Sequence, residues 1–202
     1  VSGAPAVAAL RAVCVFCGSQ AGVRAEYRTA AHSLGTWLAQ RGIEVVFGGG
    51  HVGLMGALAD AALAAGGRVT GVIPEHLMRP ELAHRGLSEL IVVDTMHTRK
   101  RTMASRADAF IVLPGGYGTF EEMFEMITWL QLRLQPKPVG LLNVAGYFDR
   151  LIDFLRHAAD EGFIRAEHRE LWCLETDAAR LAERLRQRIA RGARARSHLE
   201  RS

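Results

Sequence analysis

Four short segments bring together residue types able to hold a phosphorylated ligand and to act on it: CGSQ at 17–20, GGGHVGLMG at 48–56, MHTRK at 96–100 and PGGYGTFEE at 114–122. Clustered glycines between a strand and a helix let the backbone come close to a ligand and aim free N–H groups at it. A helix N-terminus adds about 0.3–1 kcal/mol for an anion at an exposed site. Two such loops on one crevice point to a phosphate and the sugar attached to it. Arg99 and Lys100 supply complementary charge. A unit charge pair about 4 Å apart is worth about 4 kcal/mol at an effective dielectric near 20, against about 1 in water, so an enclosed Arg outweighs a helix dipole. Behind the second glycine cluster, Thr119 reads as the N-cap of a helix, which puts Glu121 and Glu122 in its first turn, where the dipole favours acids in any case. Two carboxylates beside an anion cradle still fit best if they address the uncharged part of a phosphorylated ligand.

Other features point to less. Gly48-x-Gly50-x-x-Gly53 with Glu75 downstream matches the dinucleotide fingerprint, but it follows the second strand rather than the first, and no residue set is built to place a nicotinamide, so a dehydrogenase ranks low. Cys14 and Cys17 have CxxC spacing, yet on a strand they face opposite sides, whereas a redox pair opens a helix; with Cys173 they read as reduced thiols. Lys100 and Lys137 are the only lysines, so any lysine-based chemistry has two candidates. His51 and His97 read as packing or solvent-facing loop residues before they read as proton donors. No metal site is expected.

These segments need a frame that puts them on one edge. Short apolar runs at 12–16, 44–47, 68–73, 89–93, 109–113 and 138–142, with a shorter one near 171–174, alternate with helical patterns at 27–40, 120–134, 147–161 and 177–189. That alternation predicts an α/β fold: a Rossmann-like, doubly wound parallel sheet in three αβα layers, one domain over 12–190 with tails at 1–11 and 191–202. Ligands on such sheets bind at the carboxyl ends of the strands near a switch in strand order, and the four segments lie there. About half of the 202 residues are hydrophobic and the net charge is +4, which suits a globular chain. No run approaches the roughly 20 apolar residues of a membrane span, and 1–10 lacks the pattern of a signal peptide, so a cytoplasmic protein with no membrane partner is expected. The arginines are mostly scattered; the dense run from Arg184 to Arg196 reads as a solvated helix end and tail, so no nucleic-acid partner is expected. The helix at 120–134 carries more apolar surface than one core stripe requires, which predicts a homodimer in which it meets its symmetry mate.

With those motifs in view, the sequence resembles the LOG family, the cytokinin riboside 5′-monophosphate phosphoribohydrolases long labelled lysine decarboxylases. The resemblance rests on FCGS at 16–19, GGGxVGLMG with ADAALAAGG behind it at 48–67, GVIPEHL at 71–77, MHxRKxxM at 96–103 and PGGYGTFEE with TWLQL at 114–132, within a similarity running from about 12 to 174. It implies a Rossmann-like homodimer that hydrolyses an N6-substituted adenosine 5′-monophosphate, or AMP, to free base and ribose 5-phosphate, with no cofactor. By position it implies Arg99 and the pair Glu121/Glu122 as catalytic residues. Substrate contacts are expected from Gly18 and Ser19, from Gly49, Gly50, Gly53 and Met55, from Glu81, Met96 and Lys100, and from Gly115, Gly116, Tyr117, Gly118, Thr119 and Phe120. SQAG at 19–22 departs from the family's usual turn. By analogy with glycoside hydrolysis the C1′–N9 bond would break through an oxocarbenium-like state, with a carboxylate stabilising the sugar or positioning water and Arg99 orienting nucleotide and carboxylate. The decarboxylase label fits poorly, since pyridoxal phosphate needs a Schiff-base lysine and Lys100 beside Arg99 is better placed for phosphate. The alternative from another class is a carrier of a nucleotide-like cofactor, as molybdenum cofactor carriers are, binding without cleavage.

Overall fold

The apolar runs at 12–16, 44–47, 69–74, 109–112 and 139–142 become strands buried almost wholly on both faces, as parallel strands covered by helices on either side are, while the edge runs at 89–93 and 172–175 are only partly buried. A computed structural model describes residues 10–79 and 82–199, with side-chain environments to 193. Among the described residues it contains β1 (Ala12–Phe16), β2 (Glu44–Phe47), β3 (Val69–Pro74), β4 (Glu89–Val93), β5 (Ala109–Val112), β6 (Val139–Leu142) and β7 (Trp172–Glu175). The helices are α1 (Ala25–Ala39), α2 (Gly53–Ala64), α3 (Met96–Arg106), α4 (Tyr117–Gln131), α5 (Asp149–Asp160) and α6 (Ala178–Leu199). All pairings are parallel, in the order β4-β3-β2-β1-β5-β6-β7. The chain winds one way from β1 to β4 and the other way from β5 to β7, so the switch in order lies between β1 and β5. The expected doubly wound, three-layer fold is the fold observed.

Side-chain alternation along β1 divides the core. Val13, Val15 and Cys17 join Leu34, Leu38, Leu58 and Leu185 of α1, α2 and α6 on one face. Ala12, Cys14 and Phe16 join Met103, Met123, Met126 and Ile152 of α3, α4 and α5 on the other. Cys14 and Cys17 therefore lie in different core layers, and all three cysteines are free and buried. No described helix is long and apolar enough to cross a membrane.

The ends differ from expectation. Leu10 is buried and the Arg11 N–H donates to Asp108 Oδ2 at 2.8 Å, so the fold takes in the last two residues of the expected N-terminal tail. Residues 1–9 and 200–202 lie outside the described residues. Past 190 the chain is not a tail: α6 continues to Leu199, because its Ala- and Arg-rich run contains no proline and one tolerated glycine. Nor is its basic face wholly solvated. Arg184 donates to the Leu174 carbonyl at 3.2 Å, and Arg188 to those of Leu171 and Trp172 at 3.1 and 3.2 Å. These are backbone acceptors of the edge strand β7 and its approach, and covering an exposed edge blocks pairing with other strands.

Candidate active site

Three loops stack at the carboxyl ends of β2, β1 and β5. The Gly18 N–H donates to the Pro114 carbonyl at 3.0 Å, and the Leu54 N–H donates to the Gly18 carbonyl at 3.0 Å. Gly53 has φ +62° and any Cβ there would collide with the Ser19 backbone, so both its conformation and its closeness require glycine. A Cβ on Gly115 would strike Thr119, and one on Gly18 would come within 3.3 Å of Gly115 Cα. Between the first and third loops lies a cleft of about 220 Å³, lined by Ser19, Gln20, Tyr27, Gly115, Gly116 and Tyr147.

The helix behind the third loop begins earlier than the sequence suggests. Thr119 is not its N-cap: α4 starts at Tyr117, Gly116 occupies the cap position, and no side chain caps it. Thr119 is instead buried in the first turn, at 4% exposure. The physical reason is packing, since the Thr119 side chain fills the space that Gly115 leaves open. As a result the N–H groups of Tyr117, Gly118 and Thr119 have no hydrogen-bond partner among the described residues and face out of the helix end as donors for an anion. Glu121 and Glu122 fall beyond this turn, so the helix dipole does not account for them.

Thr95 caps α3 through its hydroxyl, which accepts from the Thr98 N–H at 3.1 Å, and the helix turns Arg99 and Lys100 inward. Arg99 is 9% exposed, and its guanidinium is largely committed to the main chain: Nε donates to Val72 O at 2.9 Å and Nη2 to Gly48 O at 2.9 Å. The guanidinium fills the space a Cβ on Gly48 would need. Nη1 faces Glu122 Oε1 at 3.6 Å. Glu122 is buried and has no other ionic or hydrogen-bond partner among the described residues. Burial pushes its carboxyl up to about 7; the positive charge of Arg99 opposes that shift, and the neighbouring Glu121 adds to it. A carboxyl poised near neutrality beside a fixed cation suits work on a proton or a developing cation.

Lys100 is engaged differently from the expectation that it meets phosphate. Its ammonium is 7% exposed, bonded to Glu121 and 3.0 Å from Glu125 Oε2. Burial lowers its pKa, the attraction of the two glutamates more than offsets that, and the ammonium is held above the ordinary lysine value. The adjacent glutamates thus part company: Glu122 turns to Arg99 inside, and Glu121, 54% exposed, turns to Lys100 at the rim. Lys137 donates from Nζ to the carbonyls of Ala104 and Ser105 at the end of α3. Among the described residues no group of three His, Cys, Asp or Glu side chains converges as a metal site requires.

Of the expected contact residues, Gly18, Ser19, Gly53, Gly115, Gly116 and Thr119 meet at the stacked loops, and Met55 and Met96 flank the Arg99 guanidinium. Gly49 and Gly50 also hold the segment after β3: the Gly49 carbonyl accepts from the His84 N–H at 2.9 Å, and Gly50 bridges Ala83. Gly118 offers only its N–H. The Tyr117 ring is 94% exposed, and Phe120 packs into the core beneath α4. Glu81 lies outside the described residues. Glu125 and Tyr147 went unread in the sequence. Glu125 shares a helix face with Glu121, four residues before it, and Tyr147 follows β6, so the rule that ligand residues follow strands applied to it as well.

This fold, with glycine loops at its switch point and a buried Arg–Glu pair between them, defines a Rossmann-like α/β protein with a ligand site at the carboxyl ends of its strands. A family model described as "Possible lysine decarboxylase" matches residues 55–185, and the chain belongs to that family, the LOG family. A relative from Arabidopsis thaliana named "Cytokinin riboside 5'-monophosphate phosphoribohydrolase LOG2" is 46% identical over 179 residues, covering 89% of this chain and 84% of the relative. A relative from Oryza sativa subsp. japonica named "Probable cytokinin riboside 5'-monophosphate phosphoribohydrolase LOGL9" is 49% identical, covering 89% of this chain and 79% of the relative. Among solved structures the molybdenum cofactor carrier protein from Chlamydomonas reinhardtii superposes with a TM-score of 0.66 over 90% of this chain and 99% of that one, at 24% identity, a likeness of fold.

Proposed function

We propose that this protein hydrolyses the N-glycosidic bond of purine nucleoside 5′-monophosphates, cytokinin nucleotides or AMP, releasing free base and ribose 5-phosphate. The observation that carries the reading is Glu122, buried, with Arg99 as its one ionic partner among the described residues, and lying one turn below the N–H groups of Tyr117, Gly118 and Thr119 that none of those residues engages. Relatives at about half identity bear phosphoribohydrolase names, whereas the carriers share only the fold. The helix end and the Gly18–Ser19 loop take the 5′-phosphate, leaving the ribose over Glu122. Hydrolysis adds water across C1′–N9, hydroxyl to the sugar and proton to the base. The Glu122 carboxylate stabilises the cationic sugar and aligns the water, while Arg99 holds that carboxylate in place. Lys100 and Glu121 form the rim.

The test is incubation of purified protein with isopentenyl-AMP, AMP and the matching unphosphorylated ribosides, with base and ribose 5-phosphate quantified. Monophosphates are expected to react with kcat/KM at least about a hundredfold above the ribosides, the value of binding energy supplied by a remote phosphate. Equal rates with the riboside would remove the phosphate from the reading. Tight binding without cleavage would favour a carrier.

The same proposal includes a homodimer and a cytoplasmic site of action. Only Met123 and Met126 of α4's large apolar side chains are buried; Phe124 is 37% exposed, and Leu132 and Phe163 beside it are 59% and 87% exposed. A groove of about 450 Å³ runs past Phe124, Ile127, Leu155 and Trp172. A contiguous apolar face of this kind marks an interface, and a two-fold pairing of α4 would cover it on both copies. Light scattering at micromolar concentration is expected to give about twice the 22.1 kDa chain mass, and Phe124→Glu to shift it toward one chain. A wild-type mass near one chain would refute the dimer.

A further inference from the structure

The cradle at 114–119 contains one peptide link flanked by glycine on both sides, Gly115–Gly116. Without a Cβ on either side, that link can rotate through a half turn at little steric cost, exchanging the places of its C=O and N–H. For an anion the two orientations have opposite sign: one presents a donor, the other a carbonyl oxygen. The preceding link is fixed, since the Pro114 carbonyl accepts from the Gly18 N–H at 3.0 Å. The Gly115 carbonyl has a single tether among the described residues, the Tyr147 hydroxyl, which donates to it. The Tyr147 ring is itself held edge-on against Tyr27 and Phe148, with centroids 5.6 and 5.0 Å away.

We infer that Tyr147 is a positioning residue for the anion site: its hydroxyl holds the Gly115 carbonyl away from the ligand and so keeps the Gly116 N–H among the donors. In a trans peptide the N–H points opposite to the C=O, and the Gly116 N–H has no partner among the described residues. Tyr147 does not touch the reacting bond; it acts through the backbone. The inference rests on the phosphate-cradle reading above.

The test measures ribose 5-phosphate binding by calorimetry and steady-state hydrolysis of AMP. Tyr147→Phe keeps the ring and removes only the hydroxyl. It is expected to weaken ribose 5-phosphate binding and raise KM for AMP by about tenfold, with kcat within about threefold and the melting temperature within a few degrees. A second substitution separates this role from simple packing. Gly116 has φ −99°, with nothing within 4 Å of a Cβ there, and the half-turn would carry that angle to about +80°, which alanine resists. In a Gly116→Ala background, Tyr147→Phe should therefore cost at most about threefold, a coupling read from the four-variant cycle. Equal ribose 5-phosphate affinity in wild type and Tyr147→Phe would overturn the inference, as would a loss of the same size with and without Gly116→Ala. Wild-type protein that binds ribose 5-phosphate but cleaves no nucleotide would overturn the hydrolase reading alone, and one that binds no ribose 5-phosphate would overturn both.

Discussion

Glu122→Gln is expected to lower kcat/KM for a nucleoside monophosphate by about a thousandfold, whereas Glu121→Gln should cost less than about tenfold, because only the first removes negative charge from the enclosed side of the site. Glu122 is buried against Arg99, while Glu121 is half in solvent and bound to Lys100. A pH profile gives a second readout. With the Glu122 carboxyl at about 7 and its ionised form active, kcat/KM should fall about tenfold per pH unit below 7 and level off above it, and Glu122→Gln should lose that limb. Stability follows the same proton with opposite sign. The folded chain binds it more tightly than the unfolded chain, whose carboxyl titrates near 4.5, so stability falls as pH rises from about 4.5 through 7 and the full cost is present above 7. Glu122→Gln removes that pH dependence, so its stability relative to wild type should rise by about 3 kcal/mol between pH 4 and pH 8. If Glu121→Gln proves the inactive variant and Glu122→Gln the active one, the roles assigned to the two carboxylates are reversed.

Arg99→Ala should damage fold and activity together. It strips donors from two backbone carbonyls, Val72 O and Gly48 O, and leaves Glu122 buried without a counter-charge. An unsatisfied buried acceptor costs about 1–3 kcal/mol and a broken buried ion pair about 3–5, and because these share one side chain they do not add. A net loss of about 3–5 kcal/mol is expected in urea unfolding, with kcat/KM down by at least a hundredfold in whatever fraction stays folded. Arg99→Lys keeps the charge but not the planar fork that reaches three partners, so it should recover stability in part and activity little. Near-wild-type turnover in a folded Arg99→Ala would remove Arg99 from the mechanism.

The family description mentions a lysine decarboxylase, and the placement of this chain's two lysines bears on it. Lys100 is ion-paired with Glu121 and Glu125, and Lys137 caps the carbonyl end of α3. Both amines serve as structural cations, which a Schiff-base lysine, needing a free amine toward its ligand, would not.

The residues alone determined the strands and the segments that form the candidate site. The central parallel strands are buried on both faces and read as mainly apolar runs, so the strand limits were legible to within about a residue. Glycine clusters are local features of the chain and mark close backbone approach wherever the fold puts them. What the sequence left open was whatever depended on which side of an element faces what. Glu121 and Glu122 are adjacent and chemically alike; only the seating of α4 on the sheet, with Met123 and Met126 buried, sends one to Arg99 and the other to Lys100. Thr119 looked like a cap because capping is a local preference, but its packing against Gly115 decided otherwise. The sequence offered Arg99 as an enclosed charge for an anion, but not its backbone acceptors, which lie 27 and 51 residues away on β3 and the loop after β2. Tyr147 is tied to the cradle across 32 residues. Such partners meet only once the strands are ordered, since hydrogen bonds require contact in space and a linear pattern records only neighbours along the chain.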